Sequence, residues 1–466
     1  MLLSRIRLDS VVFQLDMGFS GLKSVGIIGI SVGKQRSHSN HTTKEQNHLQ
    51  NIINKFRPDL TAFESIYRHI HQNPELSVQE SQTAHLATTH LHSLQDYEIH
   101  THIGGHGLAG ILHNGPGPTV LLRADMDALP VEEKTHLPYA STKFVTNEDD
   151  GSQIPVMHAC GHDSHVTCLL ATATLLHAAR QYWRGTLVVV FQPSEEQLNG
   201  ARGMLNDGFY EKVPVKPDIV LAQHVMRLRA GTVNIQSGPL LTAADAFKIR
   251  IFGRGGHGSA PQTTIDPILI GAAIVMRLQG IVSREVDPSE VAVVSCGSIR
   301  AGHSANTIPD YLDLQVSVRT LKEEVREKVC AAIVRIVEAE CVAAGAKEKP
   351  RIERTVSAPA TVNDKGSVER LRGVFEGYFG EKLVEMERPS ASEDFSLFAT
   401  DVGAPYVLWM FGGIEEEVWD EAVDKGTINE LPSNHSPFFA PAIEPTLRTG
   451  VDAMALGALT FLGRRE

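Results

Sequence analysis

Cysteine is scarce in this chain. Five residues (Cys160, Cys168, Cys296, Cys330 and Cys341) are odd in number and form no Cys-x-x-Cys pair. A disulfide framework is therefore not expected, and a reducing, cytoplasmic setting is. Positive charge is also short, with 43 Lys and Arg against 55 Asp and Glu and a formal net charge of −12. Nucleic acid and anionic membrane surfaces both need a basic face, so neither is an expected partner. No apolar run is expected to reach the ~18 residues of a membrane span. The first 57 residues lack the clean apolar centre and small-residue cleavage site of a secretory signal, and Asp9 and Asp16 weaken a transit-peptide reading. Residues 1–57 read as a poorly ordered extension of unknown role. The histidines at 38, 41 and 48 read as solvated tail residues rather than a metal site.

At 466 residues the chain is long for one core and suits two domains. Leu60, Phe63, Ile66, Tyr67 and Ile70 recur at helical spacing, Asn73-Pro74 breaks the pattern, and a helix resumes over 81–94. The apolar runs 119–122, 186–191 and 219–222 read as strands buried on both faces. Each ends in polar residues: Asp125 and Asp127, then Gln192 to Gln197, then Gln223-His224. Open α/β sheets place ligands at strand carboxyl ends. From about residue 240 the pattern becomes alternating half-buried strands and two amphipathic helices. It predicts an α+β insert, a four-stranded antiparallel sheet with two helices on one face. The expected layout is an α/β catalytic domain from 58–239 and 356–466, with the insert at 240–355.

Cys160 and His162 flank Gly161, which lets the backbone turn so that thiolate and imidazole face one point. Borderline metals such as zinc accept thiolate, imidazole and carboxylate together. Glu195 and Glu196 are neighbours on extended chain and cannot point the same way. One can ligate while the other faces a substrate. Glu196 is read as the ligand and Glu195 as the general base that takes a proton from water and passes it to a leaving amine. His224 and His435 arrive from distant segments, as expected of a site assembled by folding. Asp125 and Asp127 share one face of an extended chain. One use for them is to fix the orientation of a ligand or base, and the plain alternative is a carboxylate-capped turn.

The segment Gly253–Pro261 is glycine-rich but lacks both the Lys-Ser/Thr of a P-loop and a GxGxxG pattern. A flexible loop offering His257 to a substrate or oxyanion fits better than a phosphate cradle. Asn306 supplies an amide donor in the same insert, or simply a turn residue before Pro309.

In order along the chain stand His71-Gln72-Asn73-Pro74-Glu75-Leu76-Ser77, Arg123-Ala124-Asp125-Met126-Asp127-Ala128-Leu129-Pro130 and His158-Ala159-Cys160-Gly161-His162-Asp163. Phe191-Gln192-Pro193-Ser194-Glu195-Glu196, Gly255-Gly256-His257, Ser392-Glu393-Asp394-Phe395 and His435-Ser436-Pro437 follow. This ordered set resembles the dinuclear metallo-amidohydrolases that include hippurate hydrolase, N-acyl-amino-acid amidohydrolases and plant indoleacetate-amino-acid hydrolases. These are relatives of carboxypeptidase G and aminoacylase. The resemblance runs from about Phe63 to Phe461. It implies a zinc-peptidase-like catalytic domain with an inserted lid that mediates homodimerisation. It also implies two divalent metal ions, zinc or manganese, held by Cys160, His162, Glu196, His224 and His435. Glu195 would be the general base and Asp127 the orienting carboxylate. His257 and Asn306 would bind substrate or oxyanion, in one version across the dimer. The chain departs from the family pattern at Gln262 (where many relatives have His), at Ser164 and at Met226 to Arg229, which bears on substrate preference.

The expected reaction is hydrolysis of the amide bond of a small N-acyl amino acid, releasing a carboxylic acid and an amino acid. The competing readings are a metallo-dipeptidase on the same site and a catalytically silent metal-binding protein of this fold. An intact Glu195 speaks against the second, because a scaffold has no need of a base beside the ligands.

Overall fold

The computed structural model describes residues 48–147 and 150–464. Helix α1 occupies 48–56 and buries Leu49, Ile52 and Ile53 in the main core. Residues 48–56 therefore belong to the packed body and correct the expected 1–57 boundary of the extension. The rest of that segment, 1–47, lies outside the described residues. Helix α2 (Leu60–Gln72) starts at Asp59, whose side chain accepts from Thr61 N, and buries Leu60, Phe63, Tyr67 and Ile70. Helix α3 (Ser81–Ser93) follows the Asn73-Pro74 break.

Strands β1 (Glu98–Ile103), β2 (Gly107–His113) and β3 (Thr119–Asp125) lead to helix α4 (His162–Ala178). Strand β4 (Thr186–Gln192), helix α5 (Gly200–Asn206), strand β5 (Ile219–Arg229) and the short β6 (Val233–Asn234) follow. After residues 243–358 the chain returns as helix α8 (Lys365–Phe379), strand β11 (Tyr406–Ile414) and helix α9 (Thr446–Phe461). The seven-stranded sheet has the order β1-β2-β4-β3-β5-β11-β6. Its centre, β4, β3, β5 and β11, is parallel.

These central strands alternate between two cores. Val120, Leu122, Leu187, Val189, Leu221, Val407 and Trp409 face the side of α2, α4, α8 and α9. Leu121, Val188, Val190, Val220, Ala222, Leu408 and Met410 face the side of α5. Burial on both faces is why the strands read as continuous apolar runs. Each fully buried Val or Leu contributes about 1.5–3 kcal/mol. Asp125 pairs with Gln192 across β3 and β4, and His224 with Met410 across β5 and β11. The parallel register thus brings the ends of β3 and β4 level with the middle of β5 and β11.

The second sheet has the order β8-β9-β7-β10, from β7 (Ala243–Phe252), β8 (Ala292–Ala301), β9 (Tyr311–Thr320) and β10 (Arg351–Ala358), all antiparallel. Helices α6 (Pro267–Gly280) and α7 (Glu323–Ala343) pack against Phe247, Ile249, Ile251, Leu312, Leu314, Val316 and Val318. The other face carries the alternating polar residues, such as Lys248 opposite Gln315 and Arg250 opposite Asp313. Among the described residues one helix, Pro267–Glu285, is long and apolar enough to cross a membrane. This corrects the expectation that no run reaches that length. Ile270, Ile274, Leu278 and Ile281 of that helix are buried against the sheet.

Two features fix the start of α4. Gly161, at φ 80°, is its N-cap. A Cβ there would lie 2.3 Å from Val225 Cγ1. His71 Nδ1 meets Asp163 Oδ2 at 2.6 Å while Nε2 meets Glu133 at 3.0 Å. Burial lowers the His71 pKa, but the two carboxylates outweigh it and raise it to about 9.

Gly161→Ala is expected to cost about 1–3 kcal/mol from backbone strain alone, with the methyl clash adding to it, seen as a lowered Tm. For His71 the folded pKa lies above the unfolded one, so its stabilisation is complete below about 6.5 and lost as pH rises through about 9. In a Tm-against-pH series, His71→Gln should flatten the decline across that window relative to the parent chain.

Candidate metal centre

Turn geometry at the strand ends places the polar residues. Cys160 and His162 sit either side of the left-handed Gly161. His435, itself at φ 70°, donates its backbone N–H to Ala159 O at 2.8 Å. Asn434 Nδ2 donates to Cys160 O at 3.2 Å and to Val225 O at 3.0 Å. The 434–435 turn is thereby tied to Cys160 and to the middle of β5, where Val225 follows His224; the strand runs on to Arg229 rather than ending at Gln223-His224 as expected.

The donor atoms converge. Cys160 Sγ lies 3.6 Å from His224 Nε2. His224 Nδ1 donates to Val225 O at 2.8 Å, which leaves Nε2 with a free lone pair facing the thiol. His162 Nε2 is 3.8 Å from both Glu195 Oε2 and Glu196 Oε1, and 3.7 Å from Asp125 Oδ2. His435 Nε2 is 3.3 Å from Glu196 Oε2. Sets such as Cys160–Glu196–His435 and Asp125–His162–His165–His224 could each hold a cation. In the second set His165 has no free donor, since Nδ1 lies 2.5 Å from Asp125 Oδ1 and Nε2 accepts from Val225 N at 2.8 Å.

The residues fit a metal on two grounds. Nε2 of His162 and Oε1 of Glu196 are buried without a hydrogen-bond partner. Leaving such groups unpaired costs about 1–3 kcal/mol each, and a cation would satisfy them. The donor set also mixes thiol, imidazole and carboxylate, which suits a borderline metal.

The electrostatics agree. Burial raises the Cys160 thiol well above its ordinary value, and Glu196 and Glu195 add to this. Burial also raises Glu195 well above the carboxylate range, helped by Glu393, Glu196, Asp125 and Asp394. His162 is pulled down by burial, yet Asp125 and the other carboxylates raise it to about 10. His224 is held neutral, with a pKa far below 6.5, by burial and by His165. A local excess of buried carboxylates of this kind favours bound cations.

Below the donors, Arg123 is fully buried. It bonds Glu393 through two nitrogens at 2.8 and 3.2 Å, Asp125 at 2.6 Å and Gln192 at 2.8 Å. Gln192 Nε2 donates to Asp394 Oδ1 at 2.6 Å. Burial, with Glu393 adjoining, raises Asp394 to about 7. Asp127 accepts from Ser77 Oγ at 2.7 Å, Glu195 N at 3.1 Å and Glu196 N at 3.0 Å, and its Oδ1 is 3.3 Å from His162 Nδ1.

A cavity of about 320 Å³ opens onto Cys160, Glu195, Glu196, His224 and His435. Met226, Leu241 and Met410 give it an apolar wall, and Arg319 and Ser392 add polar groups. Of the nine residues to which the resemblance gives a role, seven lie at this centre. His257 and Asn306 stand elsewhere, beside each other: Gly258 N donates to Asn306 O at 2.7 Å, and His257 Nδ1 accepts from Ser259 N at 3.1 Å. They are not among the residues lining the cavity. Sequence reasoning missed Arg319 and the Arg123–Glu393 pair. For Arg123 the signal available was a charge inside an otherwise apolar strand, whereas Arg319 sits on an alternating strand that carries no such signal.

The family model described as Peptidase family M20/M25/M40 matches residues 121–432. The chain is 41% identical to hippurate hydrolase of Campylobacter jejuni over 347 residues, covering 72% of this chain and 84% of that protein. It is 38% identical to N-acyl-L-amino acid amidohydrolase of Geobacillus stearothermophilus, covering 67% and 80%. Among solved structures, a Bacillus subtilis protein described as a dinuclear metal binding peptidase from the M20 family superposes with a TM-score of 0.65 at 29% identity, covering 86% of this chain and 97% of that one. With the thiol, imidazoles and paired carboxylates at the carboxyl ends of a parallel sheet, these matches place the chain in peptidase family M20/M25/M40.

Proposed function

We propose that the chain hydrolyses the amide bond of small N-acyl amino acids at a dinuclear metal centre, with zinc or manganese as the metal. The relatives named for hippurate and N-acyl-L-amino acids support the substrate class. One observation carries the assignment of roles. Glu195 and Glu196 are equidistant from His162 Nε2, but only Glu196 also reaches His435. Glu196 thus joins two imidazoles as a ligand, and Glu195 is left to move a proton.

Cys160, His162, Glu196, His224 and His435 would hold the metals. When bound, the two cations would lower the pKa of a water molecule and polarise the amide carbonyl. Glu195 takes the proton from that water and delivers it to the leaving nitrogen. Asp127 orients His162 from the Nδ1 side and fixes the backbone of both glutamates. Arg319, the cation in the cavity wall, suits the carboxylate of the amino-acid half, and Met226, Leu241 and Met410 suit an apolar acyl group.

The 240–355 insert is read as a lid and dimerisation domain. β8 is an edge strand, and it exposes Val293 and Ile299 while α6 exposes Leu269 and Met276. An apolar helix face beside an open edge favours a two-fold homodimer. His257 and Asn306 would then serve substrate in the partner's site. The reducing, cytoplasmic reading rests on the five free cysteines.

Turnover measured on N-acetyl-, N-benzoyl- and indoleacetyl-amino acids beside simple dipeptides, with chelator and with zinc or manganese restored, tests this. Chelator-sensitive cleavage of the N-blocked substrates is expected. Cleavage of dipeptides alone would make the protein a dipeptidase. Glu195→Gln should keep its metal and lose at least ~10²-fold in kcat, in line with general-base losses. Cys160→Ala should lower metal affinity, read by titration with metal.

A further inference from the structure

Asp127 holds the backbone N–H groups of Glu195 and Glu196, and a second buried carboxylate holds the residue before them. Three consecutive amide N–H groups, at 194, 195 and 196, point to buried carboxylates. Asp127 accepts the second and third. The first goes to Glu80, which is 0% exposed: its Oε1 accepts from Ser194 N at 2.8 Å and from Val78 N at 2.9 Å. Ser194 has φ 53° and Val78 φ 64°, the left-handed region that non-glycine residues, and β-branched ones above all, rarely adopt. Such conformations persist only where surrounding contacts over-determine them. One carboxylate oxygen thus pins two strained residues, one in the loop before α3 and one immediately before Glu195.

We propose that Glu80 is a positioning residue for the reaction: it fixes Ser194, and through it the carboxylate of Glu195, acting as a hydrogen-bond acceptor of fixed length rather than as a charge. This rests on the reading of Glu195 as the base. The geometry favours an acceptor role over a charge role. Oε2 of Glu80 is buried with no hydrogen-bond partner, and no Lys or Arg is bonded to the side chain. Burial, with Asp127 adding to it, lifts the carboxyl to about 7. A neutral amide of the same length keeps both contacts, whereas a side chain one methylene shorter cannot span Val78 and Ser194 together. Misplacing a catalytic group by about 1 Å can cost on the order of 10²-fold in rate.

The test compares Glu80→Gln, Glu80→Asp and Glu80→Ala in the metal-loaded protein on an N-benzoyl amino acid, with kcat, KM and bound metal measured for each. Glu80→Gln should keep kcat within ~3-fold of the parent. Glu80→Asp and Glu80→Ala should lose ~10–100-fold in kcat, with KM and bound metal within ~2-fold. Should Glu80→Ala fail to fold, the Gln and Asp pair decides the matter. Glu80→Asp near the parent with Glu80→Gln inactive would make charge the requirement and overturn the proposal. So would all three within ~2-fold of the parent, or bound metal falling in step with rate. Glu195→Gln run alongside separates the two readings. Retained turnover there removes Glu195 as the base, whereas an inactive Glu195→Gln beside a fully active Glu80→Asp removes only the role given to Glu80.

Discussion

Buried negative charge is the constraint around which this protein is organised. Asp125, Asp127, Glu195, Glu393 and Asp394 are each at most 5% exposed and lie within one region at the sheet's carboxyl edge. Taking carboxylates out of water costs several kcal/mol per ion unless they are paired and hydrogen-bonded. Arg123 is the single guanidinium buried among them, and it is shared by Asp125 and Glu393. The remaining charge is met by backbone N–H groups, by imidazoles and, in the reading proposed above, by metal ions. The region is therefore tuned for cations by the same burial that would otherwise destabilise it.

The same economy explains the loops. Residues that present functional side chains lie in conformations a free chain avoids: Ser194, His435 and, at the base of the cradle, Val78. Each is tied by its own backbone N–H to a buried acceptor, Glu80 for Ser194 and Val78 and Ala159 O for His435. Rigid strands supply the frame, and short strained turns aim the groups. Positioning and strain are two descriptions of one set of hydrogen bonds here.

Much of this was legible in the sequence. The double-sided apolar runs at 119–122, 186–191 and 219–222 were readable as central strands because burial on both faces leaves no polar alternation. The helices at 60–72, 267–280 and 323–343 followed from apolar spacing. Strand β1 was not legible, since Glu98 to Ile103 is an edge strand with only Ile103 buried. Nor was helix α1, whose three buried residues sit in a polar segment that resembles a tail.

The sequence by itself determined the chemistry available: which residues can ligate and which can accept a proton. Those are properties of residue type and local period. Tertiary structure alone decided which donors share a point. The parallel register set Asp125 beside Gln192 and His224 beside Met410, and hydrogen bonding withdrew His165 from the donors. It also set His257 and Asn306 apart from the cavity and brought Glu80, over a hundred residues away, to the backbone before Glu195. Such pairings depend on contacts between segments far apart in the chain, for which local pattern carries no information.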